Sequence, residues 1–401
     1  MSEIFRPELW RLANPKEVLD LFDFEHTGSP APKRRGGMLV FRKHLSPLDT
    51  YKYLQGRFGS PNGMQTLFKN YNDSNNLIHW DFVVVAGERK IWIQGGNRDV
   101  HIAIEDKIMK PSDWANFIKN IKIDFKRCKA GSQSVEARLE KWSVLSNRFS
   151  LISSACAEHH EKIVDNIDPP DFSPPRRRTE RGIKQYISKV DKIRNRSDKL
   201  FNSCLCLDLI TPIFIESYIN LLIFFLRKKE LKDNNRQYES FIRQPIDTRV
   251  FDLHLKCDHF DDSVDPKSEE YKNFKRIFDR RNHIIHGNID PNRDCIETVY
   301  FDNFTPLFKE GGDPILEMFR KKENIYDAEG VLQRYYWAHH FIQYINDLLN
   351  EETREKLEII TSENEFGYDI SRRKPGKLFP EYEAMMLFPL KYDDELNVSW
   401  V

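Results

Sequence analysis

The sequence predicts an α+β protein: a small N-terminal α+β domain with an antiparallel sheet, then an all-α helical bundle. Three observations carry this. β-like runs separated by glycine turns crowd the first 130 residues. Residues 182–350 hold little except helical periods. A stretch with four prolines, Asp168 to Arg181 (DPPDFSPPRRRTER), separates the two.

The N-terminal elements follow in order. Pro47 to Phe58 has helical spacing. Leu77–Ala86, Lys90–Gln94 and Asp99–Glu105 read as strands, and Gly87-Glu88-Arg89 and Gly95-Gly96-Asn97 as the turns between them, which makes an antiparallel meander. Pro111–Cys128 returns to a helical period, with Trp114, Phe117, Ile118, Ile121 and Phe125 on one face. The organisation expected is an α+β domain of unknown role over 1–130, a helical connector and Pro/Arg-rich linker over 131–181, a helical domain over 182–355 and a C-terminal tail over 356–401. Residues 133–167 form one or two amphipathic helices. Further helices are expected near 182–201, 203–229, 233–245, 268–286 and 328–350, with another at 380–387 in a tail that is otherwise unassigned.

Composition narrows the function. The 62 basic and 62 acidic side chains cancel, so nucleic acid can be held only by local basic patches. Phe is abundant, at 28 against 17 Gly, which suits aromatic packing better than glycine-loop nucleotide binding. The six cysteines form no CxxC pair, so no zinc ribbon or thioredoxin motif is present, and a reduced, cytoplasmic protein is the simple expectation. The N-terminus lacks a secretory layout. Leu209–Leu226 approaches the length of a membrane span but carries Pro212, Glu216 and Asn220, so a buried helix is expected and no membrane partner.

Several polar clusters read as ordinary structure. Arg176, Arg177, Arg178 and Arg181 suit a solvated linker, and the basic 182–200 helix a solvated face. The His254, Cys257, His259 spacing matches no closed zinc pattern, and Cys156, His159 and His160 are weaker still. His339-His340 lies among aromatic residues in a core helix. Gly95-Gly96-Asn97 is no P-loop, because no Gly-Lys-Ser/Thr follows. No metal and no cofactor is expected.

Residues 268–287 (SEEYKNFKRIFDRRNHIIHG) carry the chemistry. Tyr271, Phe274, Ile277, Phe278, Ile284 and Ile285 give a buried helical stripe, Ser268 a start, and Gly287 with Pro291 a stop. Asn282 and His286 are then i,i+4 neighbours. Arg281 lies about 140° from His286 around the axis, so one helix does not easily join them, whereas two copies across a two-fold axis can. Imidazole titrates near neutral pH, at about 6.5, and can take the proton of a ribose 2′-OH. A guanidinium fork stabilises the charge that grows on the phosphate. The mechanism calls for no metal, and DNA lacks the hydroxyl it needs. The same Arg280, Arg281, His283 and His286 before a glycine also describe an ordinary helix C-terminus, where cations meet the dipole.

Arg281-Asn282-His283-Ile284-Ile285-His286, an Arg followed by a polar residue and then a His before Gly, resembles the signature of the HEPN superfamily. Ile213–Ile223 (IFIESYINLLI), with Glu216 and Asn220 four apart, resembles the first long helix of such domains, and the resemblance covers about residues 200–350. It implies a helical bundle that pairs as a homodimer with facing motifs. The activity it implies is a metal-independent endoribonuclease of toxin or antiviral defence systems, with RNA and a regulatory protein as partners. Arg281, His286 and Asn282 would be catalytic, Glu216 and His283 supporting (Glu216 beside Arg281), and Arg280 and Lys275 RNA contacts. Some members have lost catalysis, so a non-catalytic module binding RNA, a nucleotide or a protein is the alternative; a structural component of a larger complex is a third reading.

Overall fold

The computed structural model describes residues 2–21, 38–64, 66, 79–287, 289, 291–292, 294–376 and 391–400. They form two compact units. The first spans Met1–Trp142 and Lys377–Val401, the second Ser143–Gly376. The helix expected at 380–387 lies outside the described residues, as do Leu77 and Ile78.

The first unit contains β1 (Arg11–Leu12), α1 (Pro15–Leu21), β2 (Met38–Phe41), α2 (Pro47–Phe58), β3 (Trp80–Ala86), β4 (Arg89–Gly95), β5 (Val100–Ile104), α3 (Pro111–Arg127) and α4 (Lys129–Ala137). The sheet order is β1-β3-β4-β5-β2, and every pairing is antiparallel. The expected meander β3-β4-β5 is its centre. Gly87, at φ +66, turns the first hairpin. The β1 and β2 strands escaped the sequence reading because they are short and pair with partners distant in sequence. Ile4, Leu39, Phe41, Phe82, Ile91 and Phe117 form the core. Helices α2 and α4 meet at Gly56 and Gly131, where a Cβ on Gly56 would lie 2.5 Å from the Gly131 carbonyl carbon.

Residues 391–400, expected to belong to a C-terminal tail, are part of this unit. Val40 N–H donates to the Lys391 carbonyl at 3.0 Å. Buried Asp393 accepts from the backbone N–H of Arg42 (3.0 Å) and of His44 (2.9 Å). The Trp400 ring stacks on His44 at 4.2 Å. Nothing local in the sequence marks such a long-range return.

The second unit begins inside β6 (Trp142–Ser146) and continues with α5 (Arg148–Val164). Next come α6 (Glu180–Leu226), α7 (Lys229–Asp233), α8 (Asn235–Ile242), α9 (Ile246–Phe251), α10 (Leu253–Lys256) and α11 (Glu269–Ile285). The hairpin β7 (Tyr300–Asp302) and β8 (Thr305–Leu307), α12 (Pro314–Tyr326), α13 (Ala328–Asp347), α14 (Glu351–Ser362), β9 (Glu365–Asp369) and β10 (Lys374–Gly376) complete it. Helices dominate, but the unit is not purely helical: it also holds the β7-β8 hairpin and a three-stranded sheet β10-β9-β6.

The two helices expected at 182–201 and 203–229 are one helix of 47 residues, capped by Thr179, whose side chain accepts from the Gly182 N–H. Pro212 lies inside it and leaves the carbonyl four residues earlier without its helical donor, yet the helix continues because its apolar half is packed on several sides. Phe214, Ile215, Ile219, Leu222 and Ile223 lie in a core shared with Cys156 of α5, Phe274 of α11 and Phe341 of α13. This is why α6, long and apolar enough to cross a membrane, has most of its apolar window buried inside the fold. It is also why the unit starts at Ser143 and not at the 168–181 linker: α5 packs along α6 and closes the core. The linker itself is tied down. Lys189 on α6 holds Asp171 at 2.7 Å, and Arg177 lies over the Tyr186 ring and pairs with Asp313 at 2.9 Å. The helix expected at 233–245 is α8, shorter at both ends and capped by Asn234, with the short α7 just before it.

Two predictions follow from the packing. Phe274 is fully buried and stacks on Phe341 at 4.5 Å, so Phe274→Ala is expected to cost about 3–5 kcal/mol in urea unfolding of the helical unit. In the first unit, burial disfavours the Asp124 charge, but Arg127 (2.5 Å), Tyr53 (2.6 Å) and Arg57 (2.6 Å) outweigh it and hold the carboxyl below its ordinary range. A depressed carboxylate stabilises the fold above the unfolded-state value, and that contribution is lost as pH falls through the folded-state value. Acid titration followed by near-UV circular dichroism should therefore show a stability loss in that low-pH window which Asp124→Asn lacks.

Candidate active site

The motif sits where its local chemistry puts it. The Ser268 side chain caps α11 by accepting from the Tyr271 N–H, and Tyr271, Phe274, Ile277 and Phe278 bury one face. His286 is the C-terminal cap. Gly287, at φ +59, takes the left-handed conformation that ends the helix, and His286 N–H donates to the Asn282 carbonyl at 3.1 Å.

Successive residues of α11 face two different cavities. Arg281, Asn282 and Lys275 line one of about 520 Å³, with Glu216, Arg249 and Gln244 across from them. Arg280 and His283 line another, of about 810 Å³, with Arg276, Asp327, Arg334 and Trp337. His286 borders neither cavity and is exposed at the helix end. One chain therefore brings together Arg281, Asn282, Lys275 and Glu216, and leaves His286, His283 and Arg280 apart from them. Helical spacing alone accounts for this, since Arg281 and His286 project to different sides of the axis.

Glu216 does not pair with Arg281. It forms a close ion pair with Arg249 of α9, whose Nη1 also donates to Asn220 Oδ1 at 2.5 Å and whose Nε donates to the Gln244 carbonyl at 3.0 Å. Arg249 is buried, so its charge needs these partners. Glu216 and Asn220, one turn apart, clamp a guanidinium that sequence reasoning did not single out. Their i,i+4 spacing was visible, but the arginine lies 29 residues beyond Asn220. Arg281 is half-buried, and its Nε is shut off from solvent with no hydrogen-bond partner among the described residues. Lys275 reaches Asp247 at 3.5 Å.

On the other side, buried Asp208 of α6 accepts from Arg334 Nε (2.6 Å) and Nη2 (2.8 Å), and from Arg280 Nε at 3.3 Å. Arg334 also pairs with Asp327 at 3.0 Å. Asp208 and Arg334 were likewise missed; they are far apart in sequence and meet only because α6, α11 and α13 pack together. Arg280 is thus anchored to the bundle, which limits its reach toward a ligand.

His254, Cys257, Cys156 and His339 are structural in their surroundings. His254 Nδ1 lies 3.0 Å from the Phe251 carbonyl, and Cys257 is in the core with its thiol pushed up to about 12 by burial. Burial likewise raises the Cys156 thiol to about 12. His339, between Phe214 and Tyr335, is held below its ordinary value by burial. Among the described residues, no group of three His, Cys, Asp or Glu side chains is placed to hold a metal ion.

The clamp yields a prediction. Because Glu216 holds Arg249, Glu216→Ala should lower the thermal stability of the fold by about 1–3 kcal/mol, and Asp208→Ala by about 3–5 kcal/mol, both read by calorimetry. Compared with known proteins, the chain matches no family model, no curated protein and no solved structure.

Proposed function

We propose that the chain is a metal-independent endoribonuclease of the HEPN type, acting as a homodimer in which the α11 ends of two copies face each other. The observation that carries this reading is the state of Arg281. It borders an open cavity with Asn282 and Lys275, it makes no ion pair among the described residues, and its neighbour Glu216 is spent on Arg249. A half-buried guanidinium at the wall of an open cavity can grip a phosphate through its terminal donors.

The chemistry then runs in one step. His286, exposed at the helix end, accepts the proton of a ribose 2′-OH. The 2′ oxygen attacks the adjacent phosphorus, and the P–O bond to the 5′ oxygen breaks as that oxygen takes up a proton. The products are a 2′,3′-cyclic phosphate and a 5′-hydroxyl. Arg281 stabilises the charge on the phosphoryl oxygens, and Asn282 and Lys275 orient the strand. Toxin or antiviral defence is the setting this activity suits, with the N-terminal unit as sensor or regulator and a cytoplasmic location.

One observation favours a non-catalytic module instead: within one chain, His286 and Arg281 do not share a cavity. The two readings separate in one assay. Single-stranded RNA is incubated with wild type, Arg281→Ala and His286→Ala in the presence of a chelator. Each substitution is expected to slow cleavage by about 10²-fold or more. A substrate with deoxyribose at the cleaved position should stay intact. Equal cleavage by all three proteins removes the enzyme assignment, and binding without cleavage by wild type establishes the module.

A further inference from the structure

Another cavity of the helical unit adjoins the Arg281 cavity and takes no part in the proposed cleavage. It measures about 630 Å³, and four rings, Phe149, Phe224, Tyr238 and Phe366, contribute to its walls. Arg227 lies over the Phe224 ring at 4.7 Å and over the Tyr238 ring at 4.6 Å, which ties these two walls together. Polar lining comes from Glu216 and Asn220 on α6, beside Ser217, whose hydroxyl is spent on the Phe214 carbonyl at 2.8 Å. Glu216 also lines the Arg281 cavity, so the two spaces share a wall. Arg148, exposed at the start of α5, borders the cavity and makes no ion pair among the described residues.

Their bonds to Arg249 decide what Glu216 and Asn220 can offer. A guanidinium only donates, so the Asn220 atom 2.5 Å from Arg249 Nη1 is the amide oxygen, and Nδ2 remains as a donor. Glu216 Oε1 accepts from Arg249 Nη2, and Oε2 remains as an acceptor. The two residues are one helical turn apart, so the donor and the acceptor are neighbours. The charges of Glu216 and Arg249 offset each other. An ammonium ligand therefore meets no net attraction there, and the carboxylate head of a lipid-like ligand meets a carboxylate. What the cavity matches is a neutral, flat ring that carries an N–H beside a C=O or a ring nitrogen, set against aromatic walls. We infer that this cavity holds a nucleobase, with Arg148 at its rim for the phosphate. That the base belongs to the strand cut at Arg281 rests on the ribonuclease reading; the base pocket itself does not.

The test is saturation-transfer NMR on the full chain with the 5′-monophosphates of guanosine, adenosine, cytidine and uridine at millimolar concentration. Ribose 5-phosphate and decanoate are the controls. At least one nucleotide is expected to bind with its base protons saturated, and neither control should displace it. Asn220→Asp keeps an oxygen for Arg249 but loses the free donor. It should melt no lower than wild type and weaken nucleotide binding by about tenfold or more. Tyr238→Leu keeps apolar bulk, removes one ring, and should weaken binding by a similar factor. Binding of none of the four nucleotides overturns the inference, as does binding of ribose 5-phosphate or decanoate in their place, or full affinity in either variant. A protein that cuts RNA but binds no mononucleotide loses this inference and keeps the ribonuclease reading. One that binds the base and cuts no RNA does the reverse.

Discussion

Burial of the apolar half of α6 is the constraint on which the helical unit depends. Phe214, Ile215, Tyr218, Ile219, Leu222 and Ile223 have almost no exposure to water, and they reach that state only because α5, α11 and α13 each contribute a side. No pair of these helices could bury such a surface alone. The cost of ordering a 47-residue rod is offset by contacts spread along its length. Polar groups on α6 have to be paired where they enter this interior, and the two pairings that result frame the motif helix. Glu216 and Asn220 take Arg249 on one side. Asp208 takes Arg280 and Arg334 on the other.

The motif helix therefore lies between two polar networks anchored on the same neighbour. Its residues divide between them by helical angle alone: Arg280 and His283 go to one cavity, Arg281 and Asn282 to the other. The cations at the end of α11 differ in freedom as a consequence. Arg280 is engaged by a buried carboxylate. Arg281 keeps a donor unpaired, among the described residues, within the wall of its cavity. Adjacent arginines in one sequence can thus have separate roles, set by what the facing helix has already neutralised.

Where the physics is local, the sequence was readable. The Ser268 cap, the stripe from Tyr271 to Phe278 and the Gly287 stop define α11 nearly to the residue, although Ile284 and Ile285, expected in the buried stripe, are not buried and Ile285 is exposed. The glycine turns at Gly87 and Gly95-Gly96 similarly place the central meander. Cavity membership of Arg281 and Asn282 follows from spacing once the neighbours are known. What stayed hidden depends on distance. Arg249 is revealed as Glu216's partner only by the packing of α9 on α6. The continuity of α6 through Pro212 depends on tertiary support. The β7-β8 hairpin had a usable signal, an aromatic and β-branched run around Asp302-Asn303, which the surrounding helical periods masked.

The placement of residues 391–400 has a consequence for how the protein is made. Val40 and the backbone around Arg42 and His44 receive their partners, Lys391 and Asp393, from the far end of the sequence. A ribosome has to deliver the whole helical unit before the first-synthesised sheet can be completed. Until then the β2 edge lacks the Lys391 carbonyl and Phe41 lacks the Trp400 ring, 6.2 Å away, a window in which a chaperone or a folding partner has something to hold. Cutting the chain before Lys391 would therefore damage a sheet far upstream, at the β2 strand that pairs with β5 (Val100–Ile104).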